Sequence, residues 1–169
     1  MRRVGRRFFL GVILVVIVVV ADQASKWAIL NAFRLPGEAG TPFVGSGPIQ
    51  VLPFLDFELV WNRGVSFGVG NTDGPWNVLV FALLSVIIAL VLLVWMARTQ
   101  RILLAAALGL VVGGAVGNVV DRLRFGAVVD FLYVHVGAFD WFPAFNTADS
   151  AITVGAALLA IDSLFGGRD

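Results

Sequence analysis

The sequence contains no cysteine and a single histidine, His135, and these scarcities narrow the chemistry open to it. Without cysteine there is no disulfide framework, no thiolate nucleophile and no Cys-ligated zinc or iron–sulfur cluster. One histidine cannot supply a His-rich metal site or the histidine pair of a HExxH zinc helix. Any catalytic chemistry must therefore use carboxylates, hydroxyls or amides.

Charge is also scarce, since charged residues make up 14% of the chain, against roughly 25% in soluble domains. Hydrophobic residues account for 59%, which is more than one core of a chain this size can bury. The formal net charge of +1 is much smaller than the positive charge typical of proteins that bind nucleic acid. The composition indicates an integral membrane protein surrounded by membrane lipids, with no nucleic-acid partner.

Four uncharged apolar runs predict four membrane helices. The first run is short and follows a basic segment, which is also the pattern of a cleaved signal peptide. Apolar residues continue at helical spacing past Asp22 to Leu30, which favours a retained helix. We therefore predict a membrane α-helical fold, a four-transmembrane-helix bundle in one domain of residues 1–169, with helices over about residues 8–30, 75–97, 101–121 and 147–165.

The basic residues near the ends of these helices predict the orientation. Four arginines lie within residues 2–7, Arg98 and Arg101 lie between the second and third helices, and Arg168 lies near the C-terminus. All of them fall on the same side of a four-helix chain, and the positive-inside rule makes that side the cytoplasm. Both termini are then cytoplasmic, and the segments after the first and third helices face outward.

The outward segment at about residues 34–72 is rich in proline and glycine. Within it, residues 56–61 alternate with a period of two, and residues 62–64 have turn chemistry before a second short run at 65–69. We predict a small extracytoplasmic β-element between the first and second helices.

Two aspartates stand out among the acidic residues. Asp130 lies in an otherwise apolar stretch, where an unpaired carboxylate is costly. Asp149 has a simpler explanation, because Asn146 can cap the fourth helix and Asp149 can interact with the helix N-terminal amides. The topology nevertheless places both carboxyls at the outer interface, where repulsion would leave one protonated and one ionised. Such a pair provides a base that activates water and an acid, as in aspartic proteases.

Several other patterns have both a functional and a structural explanation. The sequence around Ser66 matches the G-x-S-x-G nucleophile elbow, but no parallel sheet is available to support it. Asp22 and Lys26, at i,i+4 spacing, can form a helix-surface ion pair, and Asp121 with Arg122 can form an interfacial one.

The glycines at 109, 113 and 117 have GxxxG spacing and indicate close helix packing, which would bring Asn118 against a neighbouring helix.

Five blocks, taken in order, resemble the family of lipoprotein signal peptidases, the bacterial type II signal peptidases. The resemblance covers nearly the whole chain, although residues 35–47 match nothing in the family. The blocks are DQASK at 22–26, NRGVSF at 62–67, GGAVGNVVDR at 113–122, VVDF at 128–131 and FPAFNTADSAI at 142–152.

The resemblance implies an inner-membrane aspartyl endopeptidase that removes the signal peptide from prolipoproteins carrying a diacylglyceryl group, immediately before the lipidated cysteine. It implies Asp130 and Asp149 as the catalytic pair, no metal or organic cofactor, and an active site at the extracytoplasmic interface. We also expect a monomer. The residues expected to bind substrate or support the carboxylates are Asp22, Lys26, Asn62, Gly64, Asn118, Asp121, Arg122 and Asn146.

A carrier or proton relay is the competing class, because membrane carboxylates can also bind and release protons or cations. A relay needs acidic groups distributed across the bilayer. Here they gather at one face, which favours the enzyme.

Overall fold

The computed structural model describes residues 5–32, 48–64, 75–135 and 143–165. Within them the chain forms four long helices and three strands, and all four helices are long and apolar enough to cross a membrane. The elements are α1 (Arg6–Ala32), β1 (Ile49–Leu52), β2 (Leu55–Asn62), α2 (Pro75–Arg98), α3 (Ile102–Phe125), β3 (Val128–Val134) and α4 (Thr147–Phe165). The predicted four-helix membrane fold with a small β-element is confirmed.

Helix α3 lies at the centre of the bundle and contacts each of the other three helices. Its glycines explain how closely α1 can approach. A Cβ atom on Gly109 would lie 2.6 Å from the carbonyl oxygen of Gly11, and one on Gly113 would lie 2.7 Å from the Cβ of Val18. Any side chain at these positions would push the helices apart, so the close packing predicted from the GxxxG spacing is confirmed.

Helix α1 continues to Ala32, well beyond Asp22, as the apolar pattern predicted. The last turns of α1 pack against the sheet, where Ile29 and Phe131 are buried together with the partly buried side chains of Phe57, Leu59 and Leu132. The rings of Phe57 and Phe131 meet edge to face at 6.0 Å. The β-element is thus fixed to one end of the helix bundle by apolar packing.

The sheet has the order β1-β2-β3, with both pairs antiparallel. Strand β2 lies in the segment whose alternation predicted a strand, whereas β3 comes from the connection between α3 and α4. The prediction placed the β-element only between the first and second helices, so the third strand is an addition. The second run predicted at 65–69 lies outside the described residues.

The opposite end of the bundle is held by a separate set of contacts. Met96, Ala105 and Leu108 are buried together there. Arg101 forms a 2.8 Å ion pair with Asp162 near the end of α4. This end brings together the start of α1, the α2–α3 connection and the end of α4, as a four-helix topology requires.

Candidate active site

Strand β3 positions Asp130. Helix α3 ends at Gly126, whose φ of 71° is left-handed and closes the helix with a hydrogen bond from its N–H to the carbonyl of Arg122. The chain then turns directly into β3, where Asp130 lies opposite Val60 of β2. Asn62, two residues along β2, is therefore a diagonal neighbour on the same face of the sheet. Its Nδ2 donates a 3.0 Å hydrogen bond to Asp130 Oδ2.

The N-terminus of α4 positions Asp149. Phe145 pairs with Leu132 of β3, which brings the start of α4 alongside Asp130. Asn146 Oδ1 accepts the N–H of Asp149 at 2.9 Å, and Asp149 Oδ2 accepts the N–H of Asn146 at 3.3 Å. This reciprocal pair is a capping box. The structural explanation considered for Asp149 is therefore correct, and it holds the carboxyl beside the site rather than away from it.

The side-chain amides of three asparagines point their NH₂ groups at the two carboxyls. The amide oxygens of Asn62 and Asn146 accept backbone N–H groups, those of Gly64 and Asp149 respectively. The amide oxygen of Asn118 accepts a 3.2 Å hydrogen bond from the ammonium group of Lys26. Because these donors cannot act as acceptors, the orientation of each amide follows from its partners.

The oriented amides connect the two aspartates. Asn118 Nδ2 donates to Asp149 Oδ1 at 2.9 Å. Asn146 Nδ2 donates to Asp130 Oδ1 at 2.7 Å and to Asn118 Oδ1 at 3.2 Å. Asp130 and Asp149 therefore belong to one hydrogen-bonded network, although they lie on different elements.

A buried ion-pair cluster lies beneath this network. Lys26 Nζ is 2.8 Å from Asp22 Oδ2 and 2.7 Å from Asp121 Oδ2, and these three side chains are at most 2% exposed. Gln23 Nε2 also donates to both carboxylates, at 3.1 Å and 2.9 Å. The predicted i,i+4 pair of Asp22 and Lys26 is confirmed, but it is buried between helices rather than on a helix surface.

Arg122 connects helix α3 to Gly64, which follows β2. Its Nη2 donates to the carbonyl oxygen of Gly64 at 3.0 Å, and its Nη1 lies 3.5 Å from that of Asn118. Arg122 also helps to line a cavity of about 250 Å³ between α2, α3 and α4. Its other lining residues include Asn62, Ser85, Asn118, Asp149 and Ile152.

Electrostatics distinguish the two carboxyls. The pKa of Asp130 is raised to about 7, mainly by burial and then by the nearby charge of Asp149, and the hydrogen bonds from Asn62 and Asn146 oppose this rise. Asp130 is 1% exposed and Asp149 lines the cavity. The site thus contains a buried carboxyl with a raised pKa and a second carboxyl that lines the cavity.

All ten residues predicted for the site lie in this one region. Gln23 is a participant that the prediction missed, although it stands in the same sequence block as Asp22. Ser66, the candidate nucleophile of the elbow motif, lies outside the described residues. The hydroxyl of Ser25 donates a hydrogen bond to the Asp22 carbonyl oxygen and lies 2.9 Å from that of Thr147. The single histidine lies away from the site: His135 Nε2 is 3.3 Å from Asp56 Oδ2, and the imidazole ring stacks on Tyr133.

Four apolar helices of membrane-spanning length define a multi-pass membrane protein, and two carboxyls in one hydrogen-bonded network lie at one end of its bundle. Residues 14–165 match the model of a family of peptidases described as signal peptidase (SPase) II. The chain belongs to the signal peptidase II family. Membership in a peptidase family decides against the carrier alternative.

Individual relatives agree with this assignment. A lipoprotein signal peptidase of Rhodopseudomonas palustris is 40% identical over 161 residues, covering 93% of this chain and 93% of that protein. One from Methylorubrum extorquens is 42% identical over 155 residues, covering 91% and 85%. A solved structure of a bacterial membrane enzyme matches with a TM-score of 0.75 at 28% identity, covering 92% of this chain and 87% of that one.

Proposed function

We propose that this peptidase is an aspartyl endopeptidase that cleaves diacylglyceryl-modified prolipoproteins immediately before the lipidated cysteine, with Asp130 and Asp149 as its catalytic residues. One observation carries the proposal. Asn146 bonds to both aspartates and Asn118 connects the network to Asp149, so the two carboxyls share one site. No metal or organic cofactor is needed, because two carboxyls in different protonation states supply both a base and an acid.

The different surroundings of the two carboxyls support different roles. Asp149 faces the cavity from the first turn of α4. It acts as the base that takes a proton from water as the water oxygen attacks the scissile carbonyl carbon. Asp130, the buried member, holds the proton and transfers it to the carbonyl oxygen as the tetrahedral intermediate forms. As that intermediate collapses and the C–N bond breaks, Asp149 passes the proton taken from water to the leaving nitrogen, and a hydroxyl proton of the intermediate returns to Asp130. The cysteine amine and the signal-peptide carboxyl group are released.

The cavity supports a route for the substrate. It lies among three apolar helices, and its walls change from the apolar side chains of Ile88, Val111 and Ile152 to the polar groups of Asn118 and Arg122. A signal helix entering from the bilayer would meet the apolar wall first, while the acyl chains remain in lipid. The amide and guanidinium groups would then meet the peptide backbone near the dyad.

The proposal places the site at the extracytoplasmic interface of a bacterial inner membrane, with both termini in the cytoplasm. The polar network and the sheet lie where α1 ends and α4 begins, whereas Arg6, Arg7, Arg98 and Arg101 lie at the opposite end. The positive-inside rule makes that opposite end cytoplasmic. The protein acts as a monomer, since both carboxyls and the amides that orient them come from one chain.

The test is the processing of a lipidated precursor by the full-length protein. Asp130→Asn and Asp149→Asn should each abolish cleavage while leaving membrane insertion intact. Asp162→Asn is the matched control, because it removes a buried aspartate from the other end of α4 and should leave cleavage unchanged. Ser66→Ala should also remain active. Substantial cleavage by either dyad variant would refute the assignment.

A further inference from the structure

Each proposed catalytic aspartate is preceded by a buried backbone N–H group that its own secondary structure does not satisfy. Val129 lies directly before Asp130, and its N–H is directed away from β2. Ala148 lies directly before Asp149, in the first turn of α4, where N–H groups have no partner within the helix. Both residues are fully buried, so each N–H needs an acceptor from elsewhere in the protein.

The two acceptors come from the same ion-pair cluster. Asp121 Oδ2 accepts the N–H of Val129 at 3.1 Å. Asp22 Oδ1 accepts the N–H of Ala148 at 3.0 Å. Lys26 lies between the two carboxylates and pairs with both. One cation thus joins the two acceptors that hold β3 and α4.

We propose that Asp22, Lys26 and Asp121 form one buried positioning unit, which sets the separation of the catalytic aspartates by holding the peptide N–H directly before each of them. The inference rests on the proposed function of Asp130 and Asp149. The three side chains are positioning residues: they act through the peptide groups that they hold and not on the substrate.

An interior ion pair of this kind is a poor source of stability, because removing charges from water costs about as much as their attraction returns. Its value here is geometric. Four carboxylate oxygens accept hydrogen bonds from Lys26, Gln23 and the two peptide groups, so neither carboxylate can turn without losing a partner.

Gly117 supports the same arrangement. A Cβ atom there would lie 2.5 Å from Asp22 Oδ2 and 3.1 Å from its Cγ. The absence of a side chain at Gly117 therefore leaves room for the carboxylate that holds Ala148. Gly109 lies on the same face of α3, but its Cβ would meet the backbone of Gly11 instead.

The first experiment compares Asp121→Leu with Asp121→Asn in the full-length protein, using a synthetic lipopeptide with an S-diacylglyceryl cysteine as substrate. Leucine removes the acceptor for Val129, and kcat should fall on the order of 100-fold with KM within about twofold, as expected for misplaced catalytic groups. Asparagine keeps one acceptor oxygen, so the kcat of Asp121→Asn should be at least about tenfold higher than that of Asp121→Leu. Asp162→Asn, which removes the ion pair at the opposite end, should leave both constants unchanged.

Equal kcat values for the two Asp121 variants would overturn the inference, as would a loss confined to KM. If Asp121→Leu does not fold, a second comparison decides. Gly117→Ala should lower the kcat of the folded protein by at least about tenfold, whereas Gly109→Ala should lower stability and leave kcat unchanged. Equal kcat values in these two variants would contradict the inference.

The dyad variants keep the two proposals separable. If Asp130→Asn retains cleavage, the proposed function fails whatever the cluster variants do. If it is inactive while Asp121→Leu and Gly117→Ala keep full kcat, the positioning unit fails and the dyad stands.

Discussion

Asn146 Nδ2 donates a 2.7 Å hydrogen bond to Asp130 Oδ1. The same side chain caps α4 through the N–H of Asp149. One asparagine therefore starts the helix that carries one aspartate and bonds directly to the other. Helix capping and organisation of the site depend on the same residue, and different substitutions can separate the two roles.

Asn146→Ala removes both roles, while Asn146→Ser removes only one. Both variants lose the hydrogen bonds of the amide to Asp130 and Asn118. Serine is an equally good N-cap, so only alanine also loses the cap, and its free energy of unfolding should be lower than that of the serine variant by about 1 kcal/mol. Both variants should therefore lose cleavage activity, whereas thermal unfolding should distinguish them. Normal activity in the serine variant would contradict this role for the amide.

The pH dependence of cleavage should reflect the proton on Asp130. The pKa of this carboxyl is raised to about 7, and its protonated form is the acid in the proposed reaction. The value of kcat/KM should fall as the pH rises through about 7, approaching tenfold per unit at higher pH. Rate profiles measured with the lipopeptide check this, with Asp162→Asn as a control that keeps the wild-type profile. A rate constant that stays level to about pH 9 would contradict the assignment of Asp130 as the acid.

Stability should depend on pH with the opposite sign from an ordinary salt-bridged aspartate. The pKa of Asp130 lies above its ordinary value of 3.8, so folding favours the protonated form. The stabilisation is fully present below that value and is lost as the pH rises through about 7. The wild type should therefore lose on the order of 2 kcal/mol, relative to Asp130→Asn, between about pH 5 and about pH 8. Thermal unfolding in detergent micelles measures the difference, and parallel pH dependence of the two proteins would contradict the prediction.

The helices and strand β2 were predictable because their signals are local. Long uncharged runs predict spanning helices wherever they occur, and the alternation at residues 56–61 predicts a half-buried strand from a few neighbouring residues. Strand β3 carries no such signal, because both of its faces are buried at Val128 and Val129 and the sequence does not alternate there. Its partner β2 is distant in sequence, so its pairing depends on tertiary structure.

The site was predictable only in part, for the same reason. The spacing of Asp22 and Lys26 predicted their ion pair, since i,i+4 neighbours on a helix meet locally. The second partner, Asp121, lies on α3 and reaches Lys26 only because the glycine face of that helix lets α1 approach. The convergence of Asp130 and Asp149 was inferred from topology and family resemblance, whereas the amides that connect them depend on how β2, α3 and α4 meet.

The most direct test of the central proposal is a double-mutant cycle on the dyad, with cleavage rates measured for Asp130→Asn, Asp149→Asn and the double variant. Two carboxyls that act as one acid–base pair should be non-additive, so each single variant should lose about as much activity as the double variant. Losses that multiply in the double variant, or a single variant that retains substantial cleavage, would contradict a shared catalytic site.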